Sequence, residues 1–139
     1  MRKILILTHG KFAEGINHTL ELFIGKKDNF YSISAYVDDQ SVDDQINRFL
    51  NLLDENDELI VFTDILGGSV NQKMLTHLSR SNTHIIAGFN LTSLICISTL
   101  PENRPISKSD IDNILFETRE SVVYVNEYFE STILHDDDE

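Results

Sequence analysis

Four short apolar runs punctuate the chain, and each is followed by a stretch with helical periodicity. The runs are KILILT (3–8), NFYSISAYV (29–37), ELIVFTD (58–64) and THIIAGF (83–89). Apolar residues recur at three- and four-residue spacing between them. They are Phe12, Ala13, Ile16, Leu20 and Phe23 over 12–24, then Val42, Ile46, Phe49, Leu50 and Leu53 over 41–56. Val70, Met74 and Leu78 follow in a predicted helix over 69–80. That spacing places each set on one helical face. Ser41 with Asp44 forms a capping-box pattern at the start of the second helix.

Strand–helix alternation of this kind constrains the architecture strongly. Successive strands separated by a helix must run parallel, and helices then cover both faces of the sheet. The predicted class is α/β, a doubly wound, mainly parallel sheet of strand order 2-1-3-4. A fourth helix is predicted over 91–99, a Pro-bounded loop over PENRP (101–105) and a helix over 107–120 with Ser107 and Asp110 at its start. SVVYV (121–125) has strand composition and is predicted as a C-terminal extra strand. Residues 1–130 read as a single domain, long enough to build a core. The end of the chain, 131–139, carries HDDDE and reads as an acidic, solvated, mobile tail.

Charge and composition exclude several functions. A formal net charge of −12 disfavours nucleic acid, whose phosphates require Lys/Arg patches. It suits a basic protein partner or simple solubility. The single cysteine, Cys96, permits no internal disulfide and lies in the apolar run LICI, where an inert buried thiol is expected. The five histidines show no zinc-ligand spacing with it, so no zinc site is expected. His18 is expected on the polar face of the first helix, and His77 and His84 at surface or strand-edge positions. Asp38, Asp39, Asp43 and Asp44 read as a solvated loop and helix start rather than a divalent metal site. The apolar run at the start ends after Leu7, too short for a signal peptide, and no run approaches the ~18 residues of a membrane span. The protein reads as cytoplasmic.

In a doubly wound sheet, ligands bind beyond the carboxyl ends of the strands, where the strand order reverses. With order 2-1-3-4 that point lies between the first and third strands. The first ends at Thr8–His9–Gly10 and the third at Thr63–Asp64, followed by ILGGS. His9 alone is compatible with an ordinary loop histidine, and Asp64 with a turn cap. Placed together at the switch point, they allow more. An accessible neutral imidazole has one nucleophilic nitrogen. A carboxylate that accepts the other ring N–H fixes the tautomer and offsets positive charge. Gly67 and Gly68 let a backbone approach a ligand closely, and Ser69 would open a helix whose free N–H groups favour an anion. Gly-Gly-Ser is common in turns, yet beside these two residues it suggests a phosphoryl group. No GxxxxGK[ST] is present, so phosphate borne transiently on His9 fits better than a bound nucleotide.

THGKFAEGI (8–16) and FTDILGGSVNQ (62–72), with the later segments IIAGFNLTSL (85–94) and ETRESVVYV (117–125), resemble the IIA proteins of the mannose-type phosphotransferase system (PTS). The resemblance covers nearly the whole chain. It implies that His9 accepts a phosphoryl group on Nε2 from the phosphocarrier HPr and passes it to a IIB component. IIB and the membrane components IIC and IID then phosphorylate and import the sugar. Asp64 would orient His9, and Gly67, Gly68 and Ser69 would surround the phosphoryl group. It further implies a homodimer that exchanges its last strand, a role for SVVYV. Phe12, Lys11 and Asp38 or Asp39 are candidates for the rim that meets HPr. Val70 stands where the family usually has proline, and Ile65 and Leu66 where it often has an aromatic residue. Two rivals remain in the sequence. A histidine phosphatase or mutase needs an arginine before its histidine, and Thr8 stands there. A regulatory protein of the same fold could sense phosphorylation without feeding a transporter.

Overall fold

The computed structural model describes residues 1–130. Its elements are β1 (Arg2–His9), α1 (Phe12–Ile24), β2 (Phe30–Ala35), α2 (Val42–Asn51), β3 (Glu58–Thr63), α3 (Ser69–Leu75), β4 (Thr83–Ala87), α4 (Leu91–Thr99) and α5 (Lys108–Glu120). The sheet has four strands in the order β2-β1-β3-β4, all parallel. This is the doubly wound α/β fold that the alternation predicts.

β1 is apolar throughout because both of its faces are covered. Ile4 and Ile6 pack with Ile60 and Phe62 against Ala13 and Leu20 of α1, Leu94 and Ile97 of α4 and Ile114 of α5. Leu5 and Leu7 point the other way. They pack with Leu59 and Val61 against Val42, Ile46 and Phe49 of α2 and Val70 and Met74 of α3. The crossover through α1 therefore lies on one face and those through α2 and α3 on the other, which puts the switch point between β1 and β3. At the opposite end of the sheet, buried Arg2 bonds the Glu58 carboxylate at 2.9 Å and the carbonyls of Leu100, Pro101 and Arg104.

Several local expectations are corrected. The predicted extra strand over 121–125 does not form: 122–124 has no regular structure and 125–130 is helical, with the Tyr128 N–H bonded to the Tyr124 carbonyl at 3.0 Å. Its β-branched composition favours a strand only where an edge supplies a ladder. Val122, Val123 and Val125 here face solvent. The third helix stops at Leu75, and 76–79 continue as turns, so Leu78 is exposed rather than inward. Phe12 and Phe23 flank the buried stripe of α1 and are exposed too. Half of the predicted capping box at α2 is seen, the Ser41 hydroxyl accepting from the Asp44 N–H. Ser107 and Asp110 cap each other reciprocally. Cys96 is half-buried on α4, and that burial pushes its thiol up from the ordinary range. The acidic segment 131–139 lies outside the described residues.

Candidate functional site

The site is assembled from the carboxyl ends of three adjacent strands. His9 is the last residue of β1, and its register partner Ala35 is the last of β2. Gly10 turns the chain away at φ 60°, a left-handed conformation that glycine adopts without strain, and its N–H donates to the Ala35 carbonyl at 2.8 Å. The buried Thr8 hydroxyl accepts the Ala13 N–H at 2.7 Å, tying the start of α1 to β1. His9 is thus held between a closed ladder and an anchored helix.

Asp64 follows β3. One carboxylate oxygen, Oδ2, accepts the His9 backbone N–H at 2.9 Å and lies 2.9 Å from ring Nδ1. The other, Oδ1, accepts the Ile65 N–H at 3.0 Å. Burial raises the Asp64 carboxyl, but the N–H donors and charge of His9, with the Ile65 N–H, outweigh it and hold the group below the usual carboxylate range. Asp64 is therefore ionised at neutral pH and can only accept, so Nδ1 carries the hydrogen. In the neutral ring Nε2 then presents its lone pair. The geometry is asymmetric in exposure as well: the His9 side chain is 39% accessible and that of Asp64 14%.

Nε2 lies 3.1 Å from the Ser69 hydroxyl, which donates to it in this tautomer. Ser69 opens α3 with Gly68 as its N-cap. A Cβ on Gly68 would stand 3.3 Å from His9 Cε1, so the glycine lets the backbone lie against the imidazole edge. Gly67, at φ 81°, makes the turn before it. Behind them, the buried Thr63 hydroxyl donates to Asn71 Oδ1 at 3.0 Å and fixes α3 to β3. The structure thus brings His9, Asp64, Gly68 and Ser69 into contact, with Gly67 shaping the loop between them.

The residue that the sequence reading missed is Tyr36. It follows β2, its hydroxyl lies 2.9 Å from Ser69 Oγ, and its ring is centred 5.5 Å from the His9 ring. The strand order alone places the end of β2 beside the end of β1, and that was the available signal. The rim candidates Lys11, Phe12, Asp38 and Asp39 are exposed directly after His9 and Tyr36. Tyr36, Val37, Ile65 and Leu66 add exposed apolar surface. His18 and His77 are not buried, and His84 lies on edge strand β4. Among the described residues no group of three or more His, Cys, Asp or Glu side chains is placed to hold a metal ion. No described helix is long and apolar enough to cross a membrane.

Fold and site together define a doubly wound α/β protein whose switch point presents an oriented imidazole to solvent. Comparison with known proteins is specific. The family model described as the PTS system fructose IIA component (EIIA-man) matches residues 3–115. A solved structure from Klebsiella pneumoniae, described as a phosphoenolpyruvate-dependent sugar PTS permease, is 31% identical, with a TM-score of 0.84 over 92% of this chain and 93% of that one. The PTS IIA protein associated with the fucose utilization operon of Streptococcus pneumoniae is 27% identical, with a TM-score of 0.74 over 92% and 96%. The mannose/sorbose-specific IIA subunit of Enterococcus faecalis shares the fold at 17% identity, with a TM-score of 0.73 over 88% and 92%. The chain belongs to the PTS fructose/mannose IIA family. It is accordingly a component of a sugar phosphotransferase system.

Proposed function

We propose that the protein is a phosphohistidine carrier, accepting a phosphoryl group from phospho-HPr on His9 Nε2 and passing it to a IIB component. One observation carries this reading: Asp64 holds Nδ1–H while Nε2 faces solvent beside Ser69. The nucleophilic nitrogen is thereby selected and aimed.

The Nε2 lone pair forms a bond to phosphorus as the donor's N–P bond breaks, and that electron pair returns to the donor imidazole. The Nδ1 hydrogen stays in place, so the phosphorylated ring is cationic and Asp64 neutralises it across 2.9 Å. The Ser69 hydroxyl, displaced from Nε2, turns its hydrogen to a phosphoryl oxygen. Gly67 and Gly68 leave room for that group. Catalysis is then positioning plus charge stabilisation, with the reverse sequence delivering the group to IIB.

In this reading residues 1–130 act as one domain in the cytoplasm, with HPr and IIB as successive partners and the membrane components IIC and IID downstream. The exposed apolar residues near His9 suit transient docking, and those of 122–129 suit association into a homodimer. The test is direct. Purified protein is incubated with phosphoenolpyruvate, enzyme I and HPr, and its intact mass is read with and without His9→Ala. A gain of one acid-labile phosphoryl group, lost in the variant, is expected. No gain beside phosphorylated HPr overturns the reading.

A further inference from the structure

Tyr36 is held in a conformation that its residue type disfavours. Its φ is 65°, and the other non-glycine described residue at positive φ is Asn82, a residue type that tolerates the left-handed region well. For tyrosine such a backbone is strained. The conformation directly follows Ala35, whose carbonyl closes the last rung of the sheet with Gly10. It turns the tyrosine side chain back over the site, with its ring tilted 30° to that of His9. Tyr36 stays 54% exposed, so the turn does not serve to bury it in the core.

What the turned side chain reaches is the Ser69 hydroxyl, at 2.9 Å. A serine hydroxyl has a single hydrogen and rotates freely. Left to itself at an exposed site, it can point that hydrogen at water. We propose that the Tyr36 hydroxyl is a positioning group. By donating to Ser69 Oγ it directs the serine hydrogen towards His9 Nε2 in the resting protein, and towards the phosphoryl oxygen once Nε2 is occupied. The donors then run in one direction, from Tyr36 to Ser69 to His9 to Asp64, and no proton is lost or gained along the chain. The transfer half of this inference rests on the carrier reading above. The resting hydrogen-bond half does not.

Tyr36→Phe removes the hydroxyl and keeps the ring, and Ser69→Ala removes the group through which Tyr36 acts. Two measurements are made on both variants and on the double variant. The first is the 15N resonance of His9 Nε2 in the unphosphorylated protein. Tyr36→Phe is expected to move it towards the position of an unbonded acceptor, in the same direction as Ser69→Ala, with no further movement in the double variant. The second is the rate of phosphoryl uptake from phospho-HPr. Tyr36→Phe is expected to lower it about fivefold, the effect of one ordinary hydrogen bond, and to add nothing in the Ser69→Ala background. A merely structural role would leave the resonance in place or make the two effects multiply, and either result overturns the proposal. If the unaltered protein takes up no phosphoryl group, the carrier reading fails, and the resonances alone decide the role of Tyr36.

Discussion

Oδ2 of Asp64 lies 2.9 Å from both the backbone nitrogen and ring Nδ1 of His9. One oxygen therefore fixes the main chain and the side chain of the same residue. Asp64→Asn offers a carboxamide oxygen that accepts the same two hydrogens but carries no charge. The fold should persist while the cationic phosphorylated ring loses its counter-ion. Exchanging a charge-assisted hydrogen bond for a neutral one costs about 1–1.5 kcal/mol, which corresponds to a roughly 5- to 10-fold slower phosphoryl uptake. Time-resolved intact mass measures it, and an unchanged rate removes Asp64 from the chemistry.

The same carboxylate gives stability an acid limb. Its pKa in the folded protein is depressed, so the unfolded chain binds the proton first as pH falls. The stabilisation is complete above the ordinary aspartate value of about 3.9 and is lost as pH drops through the lower folded value. Urea midpoints at successively lower pH should fall more steeply for the unaltered protein than for Asp64→Asn. Equal slopes would show that Asp64 contributes nothing to acid unfolding.

Gly67 and Gly68 should respond differently to alanine. Gly68 has an ordinary extended backbone, at φ −69°, and its added Cβ would press on His9 Cε1. Gly68→Ala should leave stability nearly unchanged and cut uptake by about tenfold or more, since small displacements of a reacting group are costly. At Gly67 the space is open but φ is 81°. Gly67→Ala should lower stability by about 1–2 kcal/mol from backbone strain. Denaturation and uptake measured side by side separate the two, and a reversed pattern would contradict the geometry.

Tyr36→Asn should exchange function for stability. Asparagine tolerates the left-handed backbone, and Tyr36 lies outside the buried core. Relief of part of the ~1–2 kcal/mol backbone strain is expected to raise the unfolding free energy, together with slower uptake. A loss of stability would mean that the tyrosine ring contributes packing beyond its hydrogen bond.

How much of this was legible depended on the kind of signal. The parallel sheet with helices on both faces followed from the alternation of apolar runs and helical faces, and the order 2-1-3-4 expected of a short doubly wound sheet is the one observed. The meeting of His9 and Asp64 was legible once the order placed their strand ends together. SVVYV was misread because strand composition says nothing about whether an edge is present to pair with. Leu78 was misread because the periodicity runs on past Leu75 while the chain departs into turns. Tyr36 was invisible for another reason. Positive φ at a tyrosine has no mark in the residue type, and the contact to Ser69 spans 33 positions.

The central place of β1 has a temporal consequence. His9 precedes Tyr36, Asp64 and Ser69 in the chain, and they reach it only after strands on both sides have docked. Parallel pairing is non-local and therefore slow to close, and chains emerge from the ribosome amino end first. A nascent chain that stops short of β3 exposes an ordinary histidine, with neither a chosen tautomer nor a counter-ion. The oriented imidazole is thus a late product of folding, assembled only when the strand ends on both sides of β1 are in place.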